Sequence, residues 1–489
     1  MKMKKIYFLL LISSGISFGQ TQIGADINGE AAGDESGFKT SLSKDGSTVA
    51  IGSLKNDGNG TSSGHVRVYR FNGSNWMQIG SDLNGEAAMD QFGLGVSLSE
   101  NGNIIAIGAN GNDQSALESG HVRVYSFDGS VWSQLGSDID GLPLAENFSI
   151  CSISGNGLTV AIGALNYNLA GSTYGRVAIY QFNGSQWTQI GGNIFGDAGG
   201  DFLGSSVSLS NDGTKLAIGA IGNDTNGSSS GQAKVFSYNG TNWIQIGSNI
   251  NGVGVNDFSG DVSLSGDGNV LAVGARLNDG NGIDSGHVKL YTYNGLNWVQ
   301  LGNTIYGEAA GDRLGFSVSL SLDGSILAAG ACLNNGNGIK SGHTRIYKYN
   351  GVNWIQIGSD INGEAANDNS GFSVSISSNG SRVAIGALLN DGNGTDSGHV
   401  RVYDLSLLSN SNSFVLDNFS IYPNPTSEIL NITLENNLTL EKVNIYNTLG
   451  QFIKSEKSKT IEIKSLAKGN YFVEVITNQG KATKTIIIE

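Results

Sequence analysis

Short apolar segments, in which hydrophobic residues alternate with polar ones, run through most of the chain. In residues 92–127 the segments FGLGVSLS, IIAIGA and HVRVYSF follow one another, and Asn101-Gly102 separates the first two. Alternation with a period of two predicts half-buried β-strands, and Asn-Gly between strands predicts a two-residue type I′ hairpin turn. No segment has a sustained helical period. The pattern therefore predicts an all-β chain of antiparallel hairpins.

One unit of this pattern recurs with a period of 55 or 56 residues. An aromatic residue in the third predicted strand marks its seven copies: Tyr69, Tyr125, Tyr180, Phe236, Tyr291, Tyr347 and Tyr403. A Trp follows seven residues later in the first six copies, whereas the seventh copy stops before its fourth strand. A fixed period of this size is typical of repeat architectures. Seven units of four strands predict a seven-bladed β-propeller with four-stranded blades.

The incomplete seventh copy predicts how the ring closes. The segment TQIGADI, from Thr21 to Ile27, has the sequence of a fourth strand and no upstream partner. If this N-terminal strand completes the last blade, the open edges of a linear stack disappear. Blades that converge on an axis also need small residues inside and large ones outside. The inner strands carry one Ser in every copy: Ser41, Ser97, Ser152, Ser208, Ser263, Ser319 and Ser375.

The first residues have the features of a secretory signal peptide. Lys2, Lys4 and Lys5 precede a short apolar run, and small residues stand just before Gln20. We therefore expect residues 1–19 to be removed on export. No later stretch is apolar enough to predict a membrane span. Cys151 and Cys332 occupy non-equivalent positions in distant copies, which predicts two buried thiols rather than a disulfide.

The charge of the chain argues against nucleic acid as a partner. The formal net charge is −14, and removal of the three lysines of the leader changes it to −17. An acidic surface repels phosphate backbones and anionic membranes. We expect a monomer.

The repeat segment FGLGVSLSENGNIIAIGA resembles the FG-GAP repeat of integrin-type β-propellers. The Phe-Gly pair is literal only at Phe92-Gly93, and no copy has Pro after Gly-Ala. Some members of that family bind calcium in a loop between the first two strands. Here that connection is only a short turn, so the family's calcium site is not expected. The resemblance implies a propeller over residues 20–405 and says little about its ligand.

The last part of the chain differs in composition. Residues 406–417 form a Ser/Asn/Leu-rich linker, and alternating segments over residues 418–489 predict a small Ig-like β-sandwich. These residues also resemble the C-terminal sorting domain of the type IX secretion system. The matching positions are Tyr422, Pro423, Asn424, Pro425, Leu449, Gly450, Gly469 and Tyr471. The resemblance implies that the outer-membrane secretion machinery binds this tail, and that the protein passes through the periplasm to the medium or the outer cell surface.

The five histidines stand at one repeat position, the start of the third strand. Since they belong to different copies, they cannot converge on one metal or substrate. We expect each to hydrogen-bond the acid before its first strand. For His65, His121, His287, His343 and His399 these acids are Asp34, Asp90, Asp257, Asp312 and Asp368. No unique Ser/His pair, phosphate loop or cofactor fingerprint is present, so no catalytic or cofactor-binding residue is predicted.

The long connections predict where a ligand would bind. In antiparallel order, the second-to-third and the between-copy connections share one face of the ring, and binding residues concentrate in such loops. The third copy departs most from the consensus. Its ligand-face candidates are Glu146, Tyr167, Tyr174 and Arg176.

Two of these loops also offer oxygen ligands for calcium. Asp279 with Asp284, and Asp391 with Asp396, lie in Asn-Asp-Gly-Asn-Gly loops. The alternative is that Asn, Asp and Gly are good loop formers whose side chains cap local turns.

Three functions remain open on the sequence alone. The first is a secreted or surface-displayed adhesion propeller that binds a glycan or a protein. The second is a secreted propeller enzyme, a lyase or hydrolase of extracellular polysaccharide. The third is a repeat scaffold without a small ligand. Because the acids and histidines are mostly repeat positions, binding is favoured over catalysis.

Overall fold

A computed structural model describes residues 20–406, 418–435, 438–447, 451–478 and 480–489. The prediction of an all-β chain is confirmed. The predicted signal peptide, most of the linker, and Leu449 and Gly450 lie outside the described residues. Among the described residues, no helix is long and apolar enough to cross a membrane.

Seven five-stranded antiparallel sheets account for the repeats. We number the sheets by the order of their inner strands, which are Lys39–Leu42, Phe92–Leu98, Phe148–Ile153, Leu203–Leu209, Ser259–Leu264, Ser317–Leu320 and Ser373–Ile376. The second strands are Thr48–Ser53, Ile104–Ala109, Thr159–Ala164, Lys215–Ala220, Val270–Ala275, Ile326–Ala331 and Arg382–Ala387. The third strands are His65–Phe71, His121–Phe127, Arg176–Phe182, Gln232–Tyr238, His287–Tyr293, His343–Tyr349 and His399–Asp404.

The outer edge of each sheet consists of two short strands rather than the single strand predicted. In sheets 1 to 6 the fourth strands are Trp76–Gln78, Trp132–Gln134, Trp187–Gln189, Trp243–Gln245, Trp298–Gln300 and Trp354–Gln356. The fifth strands are Leu83–Asn84, Ile139–Asp140, Ile194–Phe195, Ile250–Asn251, Ile305–Tyr306 and Ile361–Asn362. Both pieces pair with the third strand of the same sheet. A glycine with positive φ, such as Gly80 at 71°, interrupts the strand between them.

The hairpin turns are also longer than the two residues predicted. In sheet 1, five residues separate Leu42 from Thr48, and the Gly46 amide donates to the Ser43 carbonyl at 2.9 Å. Only Gly46 has a positive φ there, whereas a type I′ turn needs two such residues. The Asp45 carboxylate accepts the Ser43 hydroxyl and the Ser47 amide, which fixes the longer turn. The type I′ prediction is therefore wrong.

The N-terminal segment completes the seventh sheet, as predicted. Thr21 and Gln22 pair with Asp404 and Tyr403, and Ile27–Asn28 pairs with Val400 and His399. The fourth and fifth strands of this sheet thus come from the opposite end of the repeat region.

Serine hydroxyls connect the inner strands of neighbouring sheets. The Ser41 Oγ accepts the Leu98 amide of sheet 2 at 2.9 Å, and Ser375 of sheet 7 accepts the Leu42 amide of sheet 1 at the same distance. The five remaining contacts, at 2.9–3.0 Å, join Ser97 to Ile153, Ser152 to Leu209, Ser208 to Leu264, Ser263 to Leu320 and Ser319 to Ile376. The sequence of contacts is circular, so the seven sheets form a closed ring.

Tryptophans connect the sheets at the outside of the ring. The Trp76 indole N–H of sheet 1 donates to the Ile23 carbonyl of sheet 7 at 2.8 Å. The other five donate to the equivalent carbonyl of the preceding sheet, namely Trp132 to Ile79, Trp187 to Leu135, Trp243 to Ile190, Trp298 to Ile246 and Trp354 to Leu301. Gln20 takes the place of a Trp between sheets 6 and 7 and donates to the Ser359 carbonyl.

The hydrophobic core of the ring lies between the sheets. One apolar cluster, for example, combines Val66 and Val68 of sheet 1 with Phe92, Ile105 and Ile107 of sheet 2. Both cysteines are free and buried, as predicted, and burial raises the pKa of each thiol to about 12.

The C-terminal residues form two further sheets around one core. Phe419–Tyr422, Ile429–Leu434 and Thr460–Glu462 form a three-stranded sheet, and Leu440–Asn447, Phe452–Glu456, Gly469–Thr477 and Gly480–Ile488 form a four-stranded one. Both contribute to the core, for example through Leu430, Ile461, Val443 and Val473.

Removal of the N-terminal strand is expected to destabilise the ring. A protein that begins at Asn28 loses the buried Ile27, the pairing with Tyr403 and Asp404, and the acceptor of the Trp76 indole. Large apolar deletions cost roughly 2–5 kcal/mol, so the melting temperature should fall by about 5 °C or more. Differential scanning calorimetry measures this change. A protein that ends at Ser406 is the control, and its repeat ring should unfold at the same temperature as in the full chain. Equal melting temperatures of the two shortened proteins would contradict closure of the ring by the N-terminal strand.

Candidate functional site

Two kinds of long loop share one face of the ring. Internal loops join the second and third strands of a sheet, and connecting loops lead from one sheet to the next. In six sheets a backbone amide of the following connecting loop donates to a carbonyl of the internal loop at 2.7–2.9 Å. These pairs are Gly33 with Thr395, Met89 with Thr61, Gly200 with Thr173, Asn256 with Ser228, Gly311 with Ile283, and Asn367 with Ile339. We call this surface the long-loop face.

Apolar side chains protrude from the long-loop face. Leu117, Ile283 and Ile339 lie at equivalent positions at the tips of three internal loops and are 73%, 74% and 69% exposed. In sheets 1 and 7 the same position is Thr61 or Thr395. Large apolar side chains that face water often mark a contact surface. The apolar tips of sheets 2, 5 and 6 make this face a candidate binding surface.

The acids before the inner strands serve the loops themselves. The Asp34 Oδ2 accepts the amides of Glu30 and Ala31 at 3.1 and 2.9 Å and the side-chain amide of Asn56 at 3.2 Å. The equivalent aspartates also accept loop amides and are equally buried: Asp90, Asp201, Asp257, Asp312 and Asp368. Buried carboxylates that are satisfied in this way stabilise the loop and are not available to a ligand.

The histidines do not bond these aspartates, so that prediction is wrong. Both ring nitrogens of His121, and both of His343, are buried without a hydrogen-bond partner among the described residues. Their Nδ1 atoms face other acids, Asp138 at 3.9 Å and Asp360 at 3.8 Å. The reason is that backbone amides already occupy the acid before the inner strand. Burial lowers the pKa of every histidine in the chain, in His65, His287 and His399 to about 4.

Glu146 and Arg176 form a buried ion pair and do not face a ligand. They are 0% and 2% exposed, and the guanidinium donates to both carboxylate oxygens at 2.9 and 2.6 Å. In sheet 2, for example, the same two positions are Asp90 and His121. Sheet 3 therefore differs from that copy at both positions of the pair. The Arg176 guanidinium also lies 4.7 Å from the Phe148 ring centroid. The prediction that these two residues contact a ligand directly is corrected, because the pair fills the space beneath the loops.

Tyr167 and Tyr174 remain candidates for ligand contact. They flank an extra hairpin, Asn168–Leu169 and Ser172–Thr173, which only the internal loop of sheet 3 contains within the described repeats. Tyr167 is half-buried, and its ring centroid lies 5.3 Å from that of Phe195. Leu169 and Phe195 are 49% and 41% exposed. This corner of the long-loop face therefore combines aromatic and apolar groups.

The four calcium candidates lie in loops that their own side chains stabilise. The Asp279 Oδ1 accepts the Asp284 amide at 2.8 Å, and the Asp391 Oδ1 accepts the Asp396 amide at 2.9 Å. In sheet 6, Asn335 makes the same contact to the Lys340 amide without a charge. Within the described residues, the groups of three donors that could hold an ion do not include these aspartates. Calcium at this position stays a prediction.

The described sorting residues occupy two places in the C-terminal domain. Tyr422 ends the first strand and is 48% exposed, and Pro423 and Pro425 follow cis peptide bonds. Asn424 exchanges hydrogen bonds with the Thr485 carbonyl and the Ile487 amide of the last strand. Gly469 starts the penultimate strand, and the buried Tyr471 donates its hydroxyl to the Ala467 carbonyl at 2.9 Å.

Two family models match the chain, one in the repeat region and one in the C-terminal domain. Residues 196–236 and 362–403 match the FG-GAP repeat, and residues 420–489 match the secretion system C-terminal sorting domain. The protein carries FG-GAP repeats and a C-terminal sorting domain. The sorting domain supports export by the type IX secretion system, interaction with its machinery, and a secreted or outer cell-surface location.

The chain is also similar to solved lactonase structures. A putative 6-phosphogluconolactonase from Bacteroides fragilis is 14% identical, with a TM-score of 0.44, and the match covers 67% of this chain and 84% of that one. The periplasmic gluconolactonase of Pseudomonas aeruginosa is 16% identical, with a TM-score of 0.44 and coverages of 69% and 92%. A putative 6-phosphogluconolactonase from Bacteroides uniformis is 14% identical, with a TM-score of 0.46 and coverages of 85% and 97%. No curated protein matches the sequence.

The buried histidines are expected to make the FG-GAP repeats sensitive to acid. Burial, and then the charge of Lys289, lower the pKa of His287 from 6.5 to about 4, with Asp257 opposing them. The folded state therefore binds the proton less tightly than the unfolded state. Above pH 6.5 this difference does not reduce the free energy of unfolding. As the pH falls toward 4, His287 lowers the free energy of unfolding by up to about 3 kcal/mol.

The variant His287→Gln tests this effect. Gln232 occupies the same position in sheet 4, where it donates to Asn251 Oδ1 at 2.8 Å, so the fold tolerates an amide. Urea unfolding should show similar stability of variant and parent at pH 7.5, and a more stable variant at pH 4.5. Parallel pH dependence of the two proteins would show that His287 does not contribute.

Proposed function

We propose that this protein is a seven-bladed β-propeller, exported by the type IX secretion system, that binds a glycan or a protein outside the cell. In this proposal the seven sheets are the blades, residues 1–19 are the signal peptide, and residues 418–489 are an Ig-like sorting domain. The protein acts as a monomer at the cell surface or in the medium. The match of residues 420–489 to a sorting domain supports the export route.

The apolar tips of the long-loop face carry the binding proposal. The carbonyls of the exposed Ile283 and Ile339 each accept an amide of the neighbouring loop at 2.8 Å. The loop of the exposed Leu117 is held one residue later, where the Glu118 carbonyl accepts the Asn147 amide at 3.1 Å. A rigid surface with exposed apolar groups loses little conformational entropy when it binds. The aromatic corner at Tyr167 and Phe195 adds rings of the kind that stack on sugars or pack against protein.

The centre of the opposite face offers little space for a ligand. Inner strands and turns of all seven sheets line a cavity there, among them Lys44, Glu100 and Asn211. Its volume is about 140 Å³, whereas small-molecule sites usually measure about 300–1,000 Å³. This size favours recognition across the long-loop face over capture of a small molecule on the axis.

Export is expected to depend on the tail. A protein that ends at Ser406 should accumulate in the periplasm, and a periplasmic passenger fused to residues 418–489 should appear outside the cell. The same passenger fused to residues 362–405, the seventh repeat, is the matched control and should stay inside. Immunoblots of periplasm, surface and medium measure the distribution. Tail-less protein in the medium would contradict this route.

Binding is expected to require the long-loop face. The triple variant Leu117→Asp, Ile283→Asp and Ile339→Asp should lose at least about tenfold in affinity for a ligand found on glycan and surface-protein arrays, since apolar contact area is lost and charge is added. Leu296→Asp with Val352→Asp is the matched control. Those side chains are 74% and 69% exposed, but lie in the short turns of the opposite face.

The same arrays separate binding from catalysis. Retention of an unaltered glycan or protein supports the proposal. Shortening of a polysaccharide during incubation, followed by mass spectrometry, would instead identify a lyase or hydrolase. Equal loss of affinity in the triple variant and its control would place the ligand elsewhere on the ring.

A further inference from the structure

One cluster of donor groups joins the two ends of the repeat region. Asp26 lies between the two N-terminal strands, Glu364 lies in the connecting loop before sheet 7, and His399 starts the third strand of that sheet. The His399 Nδ1 is 3.9 Å from the Asp26 Oδ2 and 3.9 Å from the Glu364 Oε2. All three donor atoms lie within 4.8 Å of one another.

Among the described residues, the Asp26 Oδ2 and the Glu364 Oε2 accept no hydrogen bond, whereas the second oxygen of each carboxylate has a contact. The Asp26 Oδ1 accepts the Gln22 side-chain amide at 2.6 Å, and the Glu364 Oε1 lies 3.5 Å from the Arg401 guanidinium. His399 is 1% exposed, and neither ring nitrogen has a hydrogen-bond partner among the described residues. A buried, unpaired imidazole nitrogen thus points at two carboxylate oxygens.

The orientation of one arginine distinguishes this cluster from its relatives in sheets 2 and 6. There the guanidinium forks onto the aspartate, from Arg123 to Asp138 at 3.0 and 2.8 Å and from Arg345 to Asp360 at 2.9 and 3.0 Å. A cation already occupies those sites. In sheet 7, Arg401 turns away and donates to the Asn362 carbonyl at 2.6 Å. Asp26 is left without an arginine.

Sheet 1 repeats the arrangement less completely. Arg67 turns away in the same manner and donates to the Asn28 carbonyl at 2.8 Å. The His65 Nδ1 has only Glu30 within 4 Å, at 3.8 Å, and Asp82 lies farther off within the same donor group. Sheet 7 is therefore the best-formed of the four clusters.

We propose that Asp26 Oδ2, Glu364 Oε2 and His399 Nδ1 bind a divalent transition-metal ion of the zinc type. One imidazole and two carboxylates suit zinc, whereas calcium takes six or more oxygens. Metal–donor bonds of about 2.0–2.2 Å place donors roughly 3.3 Å apart. Each carboxylate oxygen, now 3.9 Å from the imidazole nitrogen, therefore has to move toward it, and the two oxygens, now within 4.8 Å of each other, also have to approach one another. Glu364 is 44% exposed on its side chain, which leaves a fourth position open to water.

Charge in the cluster favours a cation. Asp26 and Glu364 face a single guanidinium, that of Arg401, which lies 3.5 Å from the Glu364 Oε1. A neutral imidazole has a lone pair on one ring nitrogen, which is the form that binds a metal. A bound ion would link residue 26 to residues 364 and 399, and would clasp the ring at its closure.

Zinc titration of the metal-free full chain at pH 7.5 tests the site. Calorimetric titration should give about one tight site per chain, and the melting temperature of the ring should rise by at least about 3 °C at a hundredfold excess over Kd. Cobalt should bind the same site and give the visible absorption of a four-coordinate ion. No heat and no change in melting with zinc, cobalt or manganese would overturn the proposal.

Three variants locate the ion. His399→Gln and Asp26→Asn should each lower the zinc affinity at least about tenfold and abolish the rise in melting temperature. His287→Gln is the matched control, because sheet 5 has Val253 and Thr304 where sheet 7 has Glu364 and Asp26. If either His399→Gln or Asp26→Asn unfolds, the other variant and the cobalt spectrum still show whether the ion binds at this cluster. Parent-like binding in both, or loss of binding in His287→Gln, would overturn the assignment.

Discussion

Hydrogen bonds between neighbouring inner strands are the contact on which the ring depends. Each inner strand is the edge of its sheet, so its amides on one side have no strand to pair with. A serine hydroxyl of the preceding sheet accepts one of these amides, as Ser41 does for Leu98, and Ser375 does so across the closure for Leu42. Every sheet is thus both donor and acceptor. Loss of one sheet would expose two edges.

The two faces of the ring differ in the length of their connections and in the groups that hold them. The turns between the first and second strands are held by their own Asp or Asn side chains, as at Asp45 and Asn101. The long loops are held by buried carboxylates of the Asp34 type and by amide contacts from loop to loop. Leu117, Ile283 and Ile339 at the loop tips are among the apolar side chains that these bonds leave exposed.

The repeat pattern predicts the fold better than the site. Period and alternation are properties of the backbone and the core, so the strands and the pairing of Thr21–Gln22 with the seventh sheet followed from the sequence. The partner of a buried side chain depends on a few tenths of an ångström between loops. The Asp34 carboxylate was therefore assigned to a histidine, although nearer backbone amides occupy it. The paired change to Glu146 and Arg176 was the one signal in the sequence that could have revealed the buried ion pair of sheet 3.

The seven repeats are not chemically equivalent, and the differences fall into two arcs. Sheets 6, 7, 1 and 2 each combine a histidine with a glutamate and an aspartate, whereas sheets 3, 4 and 5 have Arg176, Gln232 and His287 without that acidic pair. The second arc carries the extra hairpin beside Tyr167, whereas the apolar tips occur in both arcs, at Ile283 in the second and at Leu117 and Ile339 in the first. A fully symmetric ring would present seven identical weak surfaces. Because the repeats diverge along one continuous arc, the long-loop face is chemically asymmetric around the ring, and in the proposed function this asymmetry would fix the orientation of a large ligand.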